Sequence, residues 1–264
     1  MLEIKNVHKT FNAGTINEKR ALQGLNLTLN DGDFCTVIGG NGAGKSTMLN
    51  MIAGVYPVDS GSITIDGVDV TGLSEHKRAK FIGRVFQDPM MGTAADMWIE
   101  ENLALANRRG CHRGLGWSIK RSERDQFKEI LSHLDLGLED RLTTKVGLLS
   151  GGQRQAITLL MAVLRKPKLL LLDEHTAALD PKTAAKVLAL SDKFIADGNL
   201  TALMVTHNMR DAITHGNRLI MMNDGKIILD VSGEEKKKLT VEDLLEAFSK
   251  LSGREFSNDR ALLS

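Results

Sequence analysis

Phe34-Cys35-Thr36-Val37-Ile38, a short apolar run, leads directly into Gly39-Gly40-Asn41-Gly42-Ala43-Gly44-Lys45-Ser46-Thr47, and Met48, Leu49, Met51 and Ile52 follow at helical spacing. Strand, glycine-rich turn and helix in this order give Gly39-x-x-x-x-Gly44-Lys45-Ser46 the setting that a P-loop requires. Glycines let successive backbone N–H groups converge on phosphate oxygens, and the helix N-terminus behind them adds partial positive charge. In such a loop Lys45 reaches the β- and γ-phosphates and Ser46 ligates Mg²⁺. The bland alternative, a flexible turn before a helix, leaves the lysine and the matched context unexplained.

A second stretch carries complementary chemistry. Leu169-Leu170-Leu171-Leu172-Asp173-Glu174 reads as a strand buried on both faces that delivers a carboxylate at its end. Paired with a P-loop, Asp173 is the expected magnesium partner. Strand alternation sends the Glu174 side chain the other way, toward where an attacking water sits, and makes it the candidate general base.

Around these two stretches the chain alternates between strands and helices. Leu2, Ile4 and Val7, then Leu25, Leu27 and Leu29, alternate with polar residues, as antiparallel strands with one wet face do. Further strands are expected at 62–65, 84–87 and 200–206. Leu219–Met222 and Lys226–Leu229 flank Asn223-Asp224-Gly225 as a hairpin. From about residue 88 to 165 the pattern is helical. Ile99, Leu103 and Leu105 suggest one element, Phe127, Ile130, Leu131 and Leu134 a second, and Ile157, Leu160, Met161 and Leu164 a third. Between the first two, Arg108 to Arg124 carries six Lys/Arg against one acid and is glycine-rich (Gly110, Gly114, Gly116), which reads as a solvated loop. A helix is expected from Pro181 to Ala196. The sum is an α/β fold with a largely parallel core sheet, an antiparallel lobe and a helical insert.

Composition narrows the function classes. The 264 residues are 42% hydrophobic and 25% charged, so a folded, well-filled core is expected. A net charge of +1 and 4% aromatics argue against a nucleic-acid partner. Two cysteines, Cys35 and Cys111, make neither a disulfide framework nor a zinc cage and fit a reducing compartment. The longest apolar runs fall well short of the roughly 20 residues of a membrane span, and Met1–Lys5 lacks a signal-peptide pattern. Any membrane role is therefore expected to come through a partner.

Leu149-Ser150-Gly151-Gly152-Gln153 discriminates among P-loop proteins. It is a second glycine-rich helix start, with a serine hydroxyl at its tip. With it, the motif set over residues 2–232 resembles the ATP-binding subunit of an ATP-binding cassette (ABC) transporter, with a helical subdomain at about 88–165 and a short helical extension over 233–264. The resemblance implies a RecA-like P-loop NTPase core, an N-terminal antiparallel β subdomain and an α-helical subdomain. It implies ATP and Mg²⁺ as ligands and ATP hydrolysis as the reaction. Gly39 to Thr47 would cradle the phosphates, and Ser150, Gly151, Gly152 and Gln153 would close over the γ-phosphate held by a second identical subunit in a head-to-tail pair. Gln87 resembles the glutamine that senses Mg²⁺ or the attacking water. Asp180, in Ala178-Leu179-Asp180, resembles the loop that crosses to the other subunit. His207 resembles the histidine that contacts the γ-phosphate, and Phe11 would stack on adenine where the family more often has Tyr. His175 stands where the family commonly has Pro, and reads as a solvated turn residue.

The resemblance further implies docking onto transmembrane permease subunits at the cytoplasmic face of the cell membrane, with Asp88–Met97 and Trp98 lining the contact. Gly39–Gly42 and Asp173–Pro181 resemble a bacterial importer branch that works with an extracytoplasmic substrate-binding protein and is linked to aromatic amino acids such as tryptophan or tyrosine. An exporter or lipoprotein-releasing ATPase shares the same cassette chemistry. A soluble DNA-repair or chromosome ATPase would carry a long coiled coil or zinc module in the insert, which this chain lacks.

Overall fold

A computed structural model describes residues 1–111 and 119–252. The chain opens with β1 (Leu2–Phe11), β2 (Lys19–Leu29) and β3 (Phe34–Gly39), then α1 (Lys45–Ala53), β4 (Ser60–Ile65), β5 (Val68–Asp69), α2 (Glu75–Arg78) and β6 (Ile82–Val85). The helices α3 (Ile99–Asn107), α4 (Arg121–Ser132) and α5 (Gly151–Val163) follow, then β7 (Leu169–Asp173), α6 (Pro181–Gly198), β8 (Ala202–Val205) and α7 (Met209–Thr214). The hairpin β9 (Arg218–Asn223) and β10 (Lys226–Ser232) leads to α8 (Gly233–Lys237) and α9 (Val241–Ser252). The expected extension is helical as far as it is described; its residues beyond 252, like Gly114 and Gly116 of the basic run, lie outside the described residues.

Two sheets organise these elements. The first is antiparallel, in the order β2-β1-β4-β5. The second runs β10-β9-β3-β8-β7-β6, parallel throughout except for the edge hairpin β9/β10. Period-two burial along β2, with Leu25, Leu27 and Leu29 inside, places one face of the first sheet on the core. β3, by contrast, is buried at every position, and β7 at Leu169 to Leu172, because helices or the other sheet cover both faces. One apolar cluster joins the first sheet, α1 and the near face of the second. Another lies between the far face and α5 and α6. The helices α3, α4 and α5 enclose a cluster of their own around Phe127, Leu131 and Ile157.

Three expectations are corrected. β6 ends at Val85, so Gln87 sits in the following loop and not at a strand end. Leu105 is exposed while Ile99 and Leu103 are buried, since residue 105 lies roughly 240° around a 3.6-residue helix from residue 99. The basic run is not uniformly a solvated loop: α4 begins inside it at Arg121, whose neighbour Glu123 pairs with Arg108, and Arg124 makes a two-pronged contact with the buried carboxylate of Glu100. Among the described residues no helix is long and apolar enough to cross a membrane.

The C-terminal elements pack under the second sheet. Lys236 of α8 is buried, and its ammonium donates to the carbonyls of His215 and Gly216 and to the Thr36 hydroxyl on β3. Burial pushes this group down to about 8. A lysine whose folded value lies below its unfolded one is more protonated in the unfolded chain between the two values, so stability rises with pH in that window. Relative to Lys236→Met, the wild type is expected to gain up to about 1.4 kcal/mol per pH unit above pH 8. Urea melts of both proteins at pH 7, 8 and 9 measure this, and a pH-independent difference contradicts it.

Candidate active site

The loop between β3 and α1 is shaped by close backbone approaches. Gly39 has φ 151°, and a Cβ there would lie 2.2 Å from the Met222 carbonyl of β9. Gly44, the N-cap of α1, has φ 101°, and a Cβ would lie 2.6 Å from the Ala21 carbonyl of β2. The two glycines therefore let the loop nest against both sheets at once. Lys45 folds back into this nest, buried, with its ammonium 2.6 Å from the Gly39 carbonyl and 3.2 Å from that of Gly40.

A cleft of about 230 Å³ opens over the loop. Its wall is made by Asn41 to Thr47, by Phe11, Lys19 and Ala21 of the first sheet, and by Glu174 and His207. Phe11 presents its ring from the end of β1, edge-on against Tyr56 with centroids 5.3 Å apart. Glu174 and His207 stand at the ends of the adjacent strands β7 and β8, and their side chains are in contact through Oε2 and Nε2. Glu174 is nearly buried, whereas His207 is partly open to the cleft. Because β7 stops at Asp173, strand alternation does not aim Glu174. The residue adopts a left-handed φ of 46°, and a turn aims it instead.

Asp173 lies beside the cleft and pairs with Arg84 of β6 at 3.4 Å. Burial pushes its carboxyl up, against the pull of Arg84. Arg84 also bonds the Asn50 amide oxygen of α1 at 2.8 Å, which links the middle of that helix to the end of β7. Gln87 is exposed in the loop after β6 and does not line the cleft.

The serine-led helix start is elsewhere. Ser150 caps α5, accepting from the Gln153 N–H while the Gln153 side chain returns to the Ser150 N–H. Ser150, Gly152 and Gln153 line a separate cavity of about 540 Å³ against α6, and Gly151 sits on the same helix tip. Asp180 caps α6 through the Thr183 N–H at 3.1 Å. One chain thus assembles the loop, Phe11, Glu174 and His207 in one cleft, and places Ser150 to Gln153 and Asp180 outside it.

The structure also shows what the sequence reading missed. Lys19 and Ala21 join the cleft because β2 runs past the loop; the lysine had no motif to mark it. Arg84 could have been found only through its pairing across β6 and β7. His175 is no solvated turn residue: it is fully buried, with Nε2 2.9 Å from Ser191 Oγ on α6. Burial, with the His215 ring nearby, pushes its imidazole down to about 4, so it is neutral at pH 7. Met90, Met91 and Trp98 are exposed, so core packing does not explain them.

A phosphate-cradling loop at the end of the central strand of a mostly parallel sheet, an antiparallel sheet beside it and a helical insert with its own glycine-rich helix start define a P-loop ATPase of cassette type. The comparisons agree. The profile of the ABC transporter family matches residues 22–177. The tyrosine transport ATP-binding protein of Clostridioides difficile is 46% identical over 248 residues, spanning 94% of this chain and 98% of that protein. The spermidine/putrescine import ATP-binding protein PotA of Haemophilus ducreyi is 36% identical over 89% of this chain, which spans 59% of PotA's length. An ATP-binding cassette solved as a dimer with ADP and Pi superposes with a TM-score of 0.75 at 31% identity, covering 88% of this chain and 98% of that one. A cassette in its ADP conformation superposes with a TM-score of 0.77 at 28% identity, over 94% and 98% of the two chains. The chain belongs to the ABC transporter family: it is an ATP-binding, ATP-hydrolysing subunit.

The nest around Gly44 makes a specific demand. Gly44→Ala adds a Cβ into the Ala21 carbonyl at a left-handed φ, and is expected to destabilise the fold by roughly 2 kcal/mol or more. Denaturant melts measure this, with Gly67→Ala, also at positive φ but in open space, as the control for backbone strain alone.

Proposed function

We propose that this subunit powers an importer of a small nutrient, an aromatic amino acid such as tyrosine, by clamping ATP between two copies of itself while docked on separate permease subunits at the inner face of the membrane. The observation that carries the dimer is the division of the site. The loop, Glu174 and His207 share one cleft, and the helix tip of Ser150-Gly151-Gly152-Gln153 lies on another surface of the same chain. Head-to-tail pairing gives each cleft the tip of the other copy, as expected for an interface with two-fold symmetry. The identity with a tyrosine transport protein over nearly its whole length supports the cargo, and the exposed Met90, Met91 and Trp98 suit a permease contact.

Within the cleft, the backbone N–H groups from Asn41 to Thr47 bind the phosphates, and Lys45 exchanges its loop carbonyls for β- and γ-phosphate oxygens. Phe11 stacks on the adenine; the π face that matters is present without the tyrosine hydroxyl. Ser46 in the cleft and Asp173 beside it would supply hydroxyl and carboxylate oxygens, a donor pair that suits Mg²⁺, and Gln87 would add its amide oxygen only with movement of the loop after β6. A Mg²⁺ ion held there would supply charge neutralisation of the phosphate oxygens. Arg84 holds Asp173 with a cation until then. Glu174 orients the attacking water and takes its proton, and His207, in contact with that carboxylate, reaches the γ-phosphate side. Asp180 stands at the turn toward the partner copy. Closure is driven by the greater affinity of ATP for the paired state, and hydrolysis removes that difference.

Three outcomes test this reading. Glu174→Gln is expected to bind ATP, to lose about 10²-fold or more in turnover and to accumulate an ATP-bound dimer, read by phosphate release and by light scattering with ATP. Hydrolysis at the wild-type rate would falsify the base assignment. Lys45→Ala is expected to weaken ATP binding about tenfold or more, measured by equilibrium titration; unchanged affinity removes the lysine from phosphate binding. For the cargo, co-purified permease and binding protein in proteoliposomes are expected to take up labelled tyrosine only with ATP and wild-type Glu174, and uptake of a different solute class would replace the substrate assignment.

A further inference from the structure

The residue that follows the proposed general base is buried, and its partner is Ser191 on α6, a helix that contributes no residue to the cleft. β7 ends at Asp173, and the backbone turns at once: the Glu174 N–H bonds the Val205 carbonyl of β8, and the Ala177 N–H bonds the Glu174 carbonyl. This turn holds a non-glycine residue at φ 46°, a conformation that surrounding contacts must enforce. His175 supplies such a contact. Ser191 Oγ donates its single proton to the Val187 carbonyl at 3.0 Å, so the 2.9 Å bond from His175 Nε2 is a donation from the imidazole N–H to Ser191.

The next residue of α6 does the same for the other side of the cleft. Asp192 Oδ2 lies 2.7 Å from His215 Nδ1. His215 follows α7, the helix that His207 and Asn208 lead into. Two consecutive α6 residues, Ser191 and Asp192, therefore hold two histidines. One is adjacent in sequence to Glu174, and the other closes the segment that begins with His207. Glu174 and His207 are in turn in contact with each other.

We infer that His175 is a positioning residue: through Ser191 it ties the turn bearing Glu174 to α6, while Asp192 and His215 tie down the segment bearing His207, so that α6 sets the geometry of the Glu174–His207 pair. This rests on Glu174 acting as the base. Asp180 caps α6, so the helix start proposed to face the partner copy and the frame that aims the base belong to one helix. A displacement of the base by about 1 Å can cost up to 10²-fold in rate without weakening binding.

The test is steady-state ATP hydrolysis by the full-length chain, with ATP affinity and melting temperature measured on the same preparations. His175→Ala is expected to lower kcat about ten- to a hundredfold with KM and ATP affinity within about twofold. His175→Gln, which restores an N–H donor, is expected to recover most of that loss. Ser191→Ala is expected to lower kcat in the same direction, and the double variant no further than the larger single effect, because the two residues act as a unit. In a Glu174→Gln background, His175→Ala is expected to change the residual rate less than twofold. If His175→Ala fails to fold, the kcat of Ser191→Ala decides. The proposal is overturned if His175→Ala, or Ser191→Ala where the former does not fold, keeps kcat within twofold of wild type, if the His175 and Ser191 effects multiply, or if KM rises by as much as kcat falls. A Glu174→Gln protein that turns over normally refutes the base reading by itself. A persistent His175 effect in that background refutes only the link between the two residues.

Discussion

Close approach of backbone to backbone around the β3–α1 loop is the constraint on which the rest of the structure depends. Gly39 touches the carbonyl of Met222 and Gly44 that of Ala21, so the loop is pressed between the hairpin strand β9 and the antiparallel sheet. No side chain fits in either gap. That tightness fixes a row of N–H groups at a helix N-terminus, a setting suited to an anion. The core reflects the same demand. β3 is buried on every side, because a strand that must aim a loop cannot tolerate a soft floor.

The helical insert is built on a different plan. Its apolar cluster around Phe127, Leu131 and Ile157 is separate from the clusters under the sheets. It presents the Ser150 helix tip away from the cleft of its own chain. Under the proposed head-to-tail pairing, a site divided in this way would act only when two surfaces meet, and pairing and chemistry would be a single event. Ion pairs of the buried Glu100 with the half-exposed Arg124, and of Arg108 with Glu123, tie α3 to α4. Charges that look like a solvated run along the sequence are in part paired with carboxylates of the insert.

Several features were legible before any coordinates. Leu25, Leu27 and Leu29 announced a half-wet antiparallel strand, and the unbroken Leu169 to Leu172 a doubly covered one, since burial leaves its period in the residue choice. The cleft residues Asn41 to Thr47, Glu174 and His207 were named in advance by motif. Glu174 was named for an incomplete reason: it was placed by strand alternation, yet the strand ends one residue earlier and a left-handed turn does the aiming. Turn geometry at a non-glycine residue leaves no mark in composition. His175 was misread for a related cause. A single histidine in a polar-looking turn carries no periodicity, and its burial depends on Ser191, sixteen residues away along the chain.

The amino-acid sequence alone determined the class of element at most positions and the chemistry of the loop, because periodicity, glycine spacing and a lysine at the helix start are local properties of the chain. Only the tertiary structure decided which of those residues meet. Pairing of β7 with β8 put Glu174 against His207, the run of β2 past the loop brought in Lys19, and pairing of β6 with β7 set Arg84 on Asp173. Such contacts join residues tens of positions apart, and they are set by sheet order and helix packing, which no short window of sequence contains.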